Sequence, residues 1–324
     1  MAQYSCKDLN NQITFYPDAI DSCCSGFLSP RFYTLNDKKI DYDSLVYSKN
    51  KFVDDFKNGK ILPTCMNCHN LSDYDKNLQF NKFTKILVNH FTCCNCACIY
   101  CVRDSYIPKD KKQSKPKYEL FPIIKEMYKR KLISEERIDV EFQGGDIGCL
   151  KEFNNLVKIF SEKSDAYFHF FTNNIVYYDS IKNLFNDKRA ELIVSLDCGS
   201  RDTYKKIKQT DKFENVIKNL SKYVNSSKYP YIVTKYILIK NINDNYSEID
   251  KFLNVINNIG LKLVCIEIDY NNCMELVPGL KTRFEVPKHY YSLIDYFIEN
   301  AKNMNIGAEV GFYSKQILDK GYFE

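Results

Sequence analysis

The amino-acid sequence predicts a parallel α/β fold preceded by a small cysteine-rich domain, and three observations carry that prediction. From about residue 80 onward, short β-rich apolar runs alternate with segments whose apolar residues recur at helical spacing. The run ELIVSLD at 191–197 is almost continuously apolar, as strands covered on both faces are. Residues 1–78, by contrast, carry five cysteines, turn-forming Pro17, Asp18, Gly26 and Pro30, and little apolar periodicity.

Composition removes several classes of protein. With 44% hydrophobic and 27% charged residues over 324 positions, the chain is globular rather than collagen-like, coiled or disordered. A formal charge of +5 is too small to imply nucleic-acid binding. The one dense basic run, Lys109 to Lys117, follows Pro108, contains Pro116 and reads as a solvated loop. No apolar run reaches the roughly 20 residues that span a bilayer, and MAQYSCKDLNNQ lacks the apolar centre of a signal peptide. A cytoplasmic location is therefore expected, and there fourteen cysteines point to metal ligation rather than to disulfides.

The first element is a short alternating pair around ITFYPDAIDSCC, followed by a helix near Lys51–Gly59. The strands then expected are Phe83–Asn89, Ile138–Gln143, Ala166–Thr172, Glu191–Asp197, Tyr231–Ile239 and Leu261–Asp269. Between them lie amphipathic stretches carried by Leu120, Ile123, Ile124 and Met127, then by Phe153, Leu156 and Phe160, then by Ile181, Leu184 and Phe185. Val216, Ile217 and Leu220 continue the pattern, as do Ile249, Phe252 and Leu253, and finally Leu293, Ile294 and Phe297. Periodicity leaves open whether the sheet is doubly wound or a barrel, but in both the site belongs at the C-terminal strand ends.

The loop after the strand at 83–89 reads NHFTCCNCACIYCVRD and holds one C-x3-C-x2-C set, Cys94, Cys98 and Cys101. Thiolates prefer soft metals and iron-sulfur clusters, and three in eight residues can wrap one cubane and leave one iron open. Cys93 and Cys96 flank the set as bystanders. A zinc site from Cys65-x2-Cys68 with Cys98-x2-Cys101 is the alternative on spacing, and would make the chain a non-catalytic zinc-binding module. It leaves Cys94 unexplained. The four histidines have no metal-binding spacing, and HExxH, Walker, GxSxG and complete GxGxxG motifs are absent.

On these residues the chain resembles the radical SAM superfamily, whose signature is C-x3-C-x2-C with an aromatic, here Tyr100, before the last cysteine. The likeness continues in Gln143-Gly144-Gly145-Asp146, in Thr172-Asn173-Asn174, and in Ser195-Leu196-Asp197 followed by the segment ending in Lys208. It implies a partial (β/α)6 TIM-like barrel over residues 79–324, with a 4Fe-4S cluster on Cys94, Cys98 and Cys101. It also implies S-adenosylmethionine (SAM) contacts from Tyr100, Gly144, Gly145, Asp146, Thr172, Asn173, Ser195 and Lys208. Two departures stand out: Asp146 where relatives have Glu, and Lys208 where Arg is frequent, which gives up bidentate geometry.

The implied activity is reductive cleavage of SAM to a 5′-deoxyadenosyl radical that abstracts hydrogen from a substrate. Residues 1–78 are similar to SPASM and twitch auxiliary-cluster domains, here placed first, with Cys6, Cys23 or Cys24, Cys65 and Cys68 as ligands of a second 4Fe-4S cluster. Such a cluster would take up an electron, which favours dehydrogenation of a carbohydrate-like or peptide substrate, with Asp197 at the site. The alternative is a radical epimerase or RiPP peptide maturase with a cysteine hydrogen donor, for which Cys273, past the 261–269 strand, is placed; Cys198 and Cys149 follow earlier strands similarly. A flavodoxin- or ferredoxin-type protein would supply the external electron.

Overall fold

The computed structural model describes residues 4–23, 31–34, 40–62, 65, 71–73, 80–101, 116–269, 287–311 and 314–315. The chain divides into two compact units: residues 1–93 with 113–169, and residues 94–112 with 170–324.

The first unit opens with β1 (Tyr4–Cys6), α1 (Lys7–Asn11), β2 (Gln12–Phe15), β3 (Ala19–Asp21) and β4 (Arg31–Thr34). It continues with α2 (Tyr42–Lys57), β5 (Leu71–Asp73), β6 (Lys85–Val88), α3 (Leu120–Lys129), β7 (Arg137–Phe142) and α4 (Phe153–Lys163). Its sheet runs β7-β6-β2-β3-β4. β6 pairs in parallel with both β7 and β2, and the antiparallel pairs β2–β3 and β3–β4 complete it. β1 and β5 form a separate antiparallel pair. Strands from residues 1–78 thus extend the sheet that begins the β/α succession.

α2 begins nine residues before the helix expected at Lys51. Asp41 caps it, its Oδ1 accepting from the amides of Asp43 and Ser44 at 3.1 and 3.2 Å. Leu45, Lys49, Val53 and Phe56 form its buried stripe, and a lysine in that stripe masks the apolar period in the sequence. Its end is set by Gly59 at φ +76°.

β8 (Asp165–Thr172) contains the division between the units. The second unit then follows through α5 (Asp179–Asn186), β9 (Ala190–Ser195), α6 (Arg201–Lys208), α7 (Phe213–Ser226) and β10 (Ile232–Leu238). It closes with α8 (Tyr246–Ile259), β11 (Leu263–Ile268), α9 (His289–Asn303) and β12 (Gly307–Val310). The order β12-β11-β10-β9 is parallel throughout. The six expected strands all form, within two residues at their ends. β12 was not expected: GAEV has no apolar run, and it forms through its parallel pairing with β11 and the Gly307 amide on Lys262 O at 2.8 Å.

Burial alternates along β8 and β9, so one face packs into the core and the other is half-buried. On the core side of the second unit, the rings of Tyr236, Phe252 and Phe297 pack with centroids 4.9 to 5.9 Å apart, Phe252 stacked on Phe297 and Tyr236 tilted against both. Among the described residues no helix is long and apolar enough to cross a membrane.

Candidate functional site: a cysteine loop and its supports

The loop that carries Cys94, Cys98 and Cys101 is tied down by backbone hydrogen bonds. The amides of Ala97 and Ile99 donate to Lys208 O and Ile207 O at 3.1 and 3.0 Å, so the loop satisfies carbonyls that the end of α6 leaves open. The Cys101 amide closes a turn on Cys98 O at 3.1 Å, and the Cys96 amide donates to Cys94 Sγ at 3.4 Å. Asn173, at the end of β8, directs its Nδ2 at Cys94 Sγ (3.6 Å), at Cys96 Sγ (3.4 Å) and at Asn95 Oδ1. Its own Oδ1 accepts from the Ile175 amide at 3.0 Å, while Thr172 Oγ1 accepts from Asn174 N at 2.9 Å. Asn173, expected with Thr172 at the cosubstrate, donates to the cysteine loop.

The electrostatics of this loop favour a thiolate at Cys98. The Cys98 thiol is pulled down to about 7, first by the hydrogen bond from the Cys96 thiol and then, against burial, by the Lys208 charge. The Cys96 thiol, bonded to Cys94 and Cys98, is pushed up. None of the described cysteines is in a disulfide, and Cys94, Cys98 and Cys101 are half-buried.

Among the described residues no three His, Cys, Asp or Glu side chains converge on one ion-sized point. A cubane takes each thiolate at a different iron. The all-sulfur donors, the N–H groups aimed at them and the lowered Cys98 thiol fit an iron-sulfur cluster.

The turn after β7 is built against the residues that lead into this loop. Gly145 N donates to Phe91 O and Asp146 N to Cys93 O, each at 2.9 Å, and Cys93 directly precedes Cys94 in the chain. Gly144 has φ +108°, and a Cβ at Gly145 would stand 2.0 Å from Cys93 O. Both glycines are thus required by geometry. The buried Asp146 carboxylate caps a short 3-10 turn, its Oδ1 accepting from Gly148 N at 2.8 Å.

His90, one of the four histidines without metal-binding spacing, precedes this loop. It is fully buried with Nε2 2.8 Å from Glu152 Oε1, and the Glu152 carboxylate also accepts from the amides of Leu120 and Phe121 at 3.0 and 2.8 Å, capping α3. Burial raises the Glu152 carboxyl, but His90 and the two amides outweigh it and hold it below its ordinary value.

Asp197 and Lys208, predicted at the site, meet as a buried ion pair, 0% and 1% exposed. Lys208 Nζ donates to Tyr100 Oη at 2.6 Å, and Tyr100 Oη donates to Asp197 Oδ2 at 2.6 Å. Burial would discharge Lys208, but Asp197 and Cys98 hold it protonated. Asp197 sits at φ +65°; its Oδ1 accepts from Ile237 N at 3.0 Å and its carbonyl from Asn243 Nδ2 at 2.8 Å. Asn243 was not singled out in the sequence, since a lone Asn carries no spacing. Ser195 ends β9 half-buried, in register with Lys235 of β10.

Of the N-terminal cysteines, Cys6 and Cys65 pack against the core of Leu9, Val53 and Phe56. The buried Lys49 donates to Gln12 O at 2.9 Å and Ser22 Oγ at 3.0 Å; burial lowers it to about 7, against the opposing effect of Cys23 and Cys6. Cys24, Cys68 and Cys273 lie outside the described residues. Cys198 is fully buried, and burial pushes its thiol up; Cys149 is half-buried, its carbonyl accepting from Cys93 Sγ at 3.4 Å.

Comparison with known proteins agrees with this geometry. GTP 3′,8-cyclase of Clostridium botulinum (strain Okra / Type B1) is 29% identical over 180 residues, 54% of this chain and 53% of that protein. The chain spans about half the length of the curated relatives it matches. SuiB of Streptococcus suis bound to precursor peptide SuiA shares the fold at a TM-score of 0.51 and 11% identity, over 89% of this chain and 58% of that one. Native anSMEcpe with bound AdoMet gives a TM-score of 0.50 and 15% identity, over 69% of this chain and 63% of that one. These likenesses accord with a mixed α/β, mostly parallel fold of the partial TIM-like kind. The profile of the radical SAM superfamily matches residues 88–254, just over half of the chain and including the cysteine loop, the glycine turn and the Asp197–Lys208 pair. The chain belongs to the radical SAM superfamily.

Proposed function

We propose that the chain is a radical SAM oxidoreductase that dehydrogenates a carbohydrate-like or peptide substrate. The observation that carries the reading is the Cys94, Cys98, Cys101 loop, its sulfurs met by Asn173 and Cys96 and its entry locked against Gly145. When bound, a 4Fe-4S cluster and SAM supply a 5′-deoxyadenosyl radical that removes a hydrogen atom from the substrate. Cys94, Cys98 and Cys101 would hold the cluster, and the Gly144–Asp146 turn would face the cosubstrate. Lys208 holds its proton between Asp197 and Tyr100, which fixes the aromatic ring beside Cys101.

The same proposal divides the chain into an auxiliary-cluster domain at 1–78 and a barrel at 79–324, with Cys6, Cys23 or Cys24, Cys65 and Cys68 holding a second 4Fe-4S cluster. That cluster would accept the electron left on the substrate, and a flavodoxin- or ferredoxin-type protein would supply the first one in the cytoplasm. A second reading, favoured by the precursor peptide in the SuiB complex, is a peptide maturase or epimerase with Cys273 as hydrogen donor. The name of the curated relative adds GTP as a substrate to test.

The test is anaerobic reconstitution with iron and sulfide, reduction, and detection of 5′-deoxyadenosine released from SAM, for the wild type and for Cys98→Ala. Release by the wild type alone is expected; release by neither sinks the reading. Loss of one hydride equivalent from product, against solvent deuterium incorporation, separates dehydrogenation from epimerisation.

A further inference from the structure

The cysteine loop and the end of α6 belong to one unit and share more than backbone bonds. Tyr100, Asp197 and Lys208 close a ring of polar groups. Lys208 Nζ donates to Tyr100 Oη at 2.6 Å and to Asp197 Oδ2, while Tyr100 Oη donates to the same Oδ2 at 2.6 Å. The other carboxylate oxygen, Oδ1, accepts from Ile237 N of β10 at 3.0 Å. Each member is held by the other two, and the ring is anchored at Asp197.

Asn243 fixes that anchor. Its buried Nδ2 donates to Asp197 O and to Ile237 O, each at 2.8 Å, and its Oδ1 accepts from Ile239 N at 2.7 Å. Both amide hydrogens are thereby used. Asp197 is kept at φ +65°, a left-handed conformation that persists in a non-glycine residue where neighbours over-determine it, as these bonds do.

The surroundings of Lys208 decide what the ring acts on. A lysine that meets the carboxylate of a diffusing cosubstrate has to be open to solvent beforehand, and Lys208 and Asp197 are closed to it. The neighbour of the ring is the cysteine loop. Tyr100 stands between Cys98 and Cys101 in the chain, and the carbonyls of Ile207 and Lys208 hold Ile99 N and Ala97 N at 3.0 and 3.1 Å. The field of the pair is felt there: behind the Cys96 hydrogen bond and burial, Lys208 favours a thiolate at Cys98 and Asp197 opposes it. Buried charges are little screened, and the potential of an iron-sulfur cluster follows the net charge and hydrogen bonds around it.

We propose that Lys208 and Asp197 are positioning residues of the cysteine loop rather than cosubstrate contacts, and that their opposed charges set the potential at which a cluster on Cys94, Cys98 and Cys101 accepts its electron. The inference rests on the radical reading above and assigns the regulation of that same site. Lys208 stabilises the negative charge that reduction adds and so raises the potential. Asp197 tempers it, and Tyr100 ties both to the loop.

Potentiometric titration of the reconstituted full chain, followed by electron paramagnetic resonance, tests this on the wild type, Lys208→Met, Asp197→Asn and the double variant. Iron and labile sulfide per chain are counted first, and the signal that changes on adding SAM marks the cluster of this loop. The potential is expected to fall in Lys208→Met, to rise in Asp197→Asn and to lie between them in the double variant, whose core stays neutral. Shifts of both single variants in one direction, as a loosened loop would give, or no shift in either, overturn the proposal. The double variant is expected to melt like the wild type and to bind SAM within about twofold of it; binding about tenfold weaker, the loss due to a cosubstrate ion pair, also overturns it. A wild-type chain that takes up no iron overturns the radical reading and this inference with it, whereas wrong signs in an iron-loaded chain overturn this inference alone.

Discussion

Replacing Gly145 by alanine puts the link between the glycine turn and the cysteine loop to a quantitative test. The added Cβ would stand 2.0 Å from Cys93 O, 1.4 Å short of the 3.4 Å at which ordinary contact begins, and 2.9 Å from Phe91 Cδ2. The nearest atom is backbone, so no side chain can swing away. Opening the turn by that distance breaks the Gly145 N–Phe91 O and Asp146 N–Cys93 O bonds, each 2.9 Å long. Two such bonds at about 1 kcal/mol each, with about 1–3 kcal/mol for overpacking, give a loss of about 3–5 kcal/mol.

At about 2–4 °C per kcal/mol for a domain of this size, the melting temperature should fall by about 6–20 °C. Because Cys93 precedes Cys94, the iron bound after reconstitution should fall with it. Gly260→Ala is the control: that residue has φ +84° but only Val224 Cγ1, at 3.8 Å, near its missing Cβ, so it should cost about 1 kcal/mol and leave iron content unchanged. The assay is differential scanning calorimetry with iron and labile sulfide counted per chain. A Gly145→Ala chain that melts within about 2 °C of the wild type with full iron content would refute the reasoning.

Lys208→Met strands the Asp197 carboxylate in the core and should cost about 3–5 kcal/mol in urea unfolding, whereas Lys208→Met with Asp197→Asn should recover more than half; simple additivity would count against the pair. Glu152 is held below its unfolded value, so its contribution is complete above about pH 4.3 and disappears as pH falls through the folded value. Glu152→Gln should therefore flatten the acid limb of the stability profile, and an unchanged limb would exclude the His90–Glu152 clamp. Replacing Cys94, Cys98 and Cys101 together by alanine should lower bound iron from about eight to about four per chain if two cubanes assemble, and from about four to none if one does. Zinc in place of iron would overturn both.

Much of this protein was legible in its sequence because the signals are local. The spacing of Cys94, Cys98 and Cys101 is a property of eight consecutive residues, and the strands at 191–197 and 261–269 announce themselves by composition. The elements that were harder to read are those whose reason is not local. β12 exists because β11 offers it an edge, and α2 hid its first half behind Lys49, whose burial depends on Gln12 and Ser22 far along the chain. Lys208 and Asp197 were each visible as charged residues near strand or helix ends, but their mutual pairing through Tyr100 was not.

The sequence by itself determined the six strands from 83 to 269 and the helices between them, the thiolate chemistry and the need for glycines at 144 and 145. Only the tertiary structure decided that Asn173 serves the cysteine loop, that Glu152 joins His90 to the start of α3, and that Glu267 rests over Gly311 beside Lys235. Periodicity and spacing act within a few residues, whereas a charge buried among distant neighbours takes its partner, its protonation and its role from how the strands register against one another.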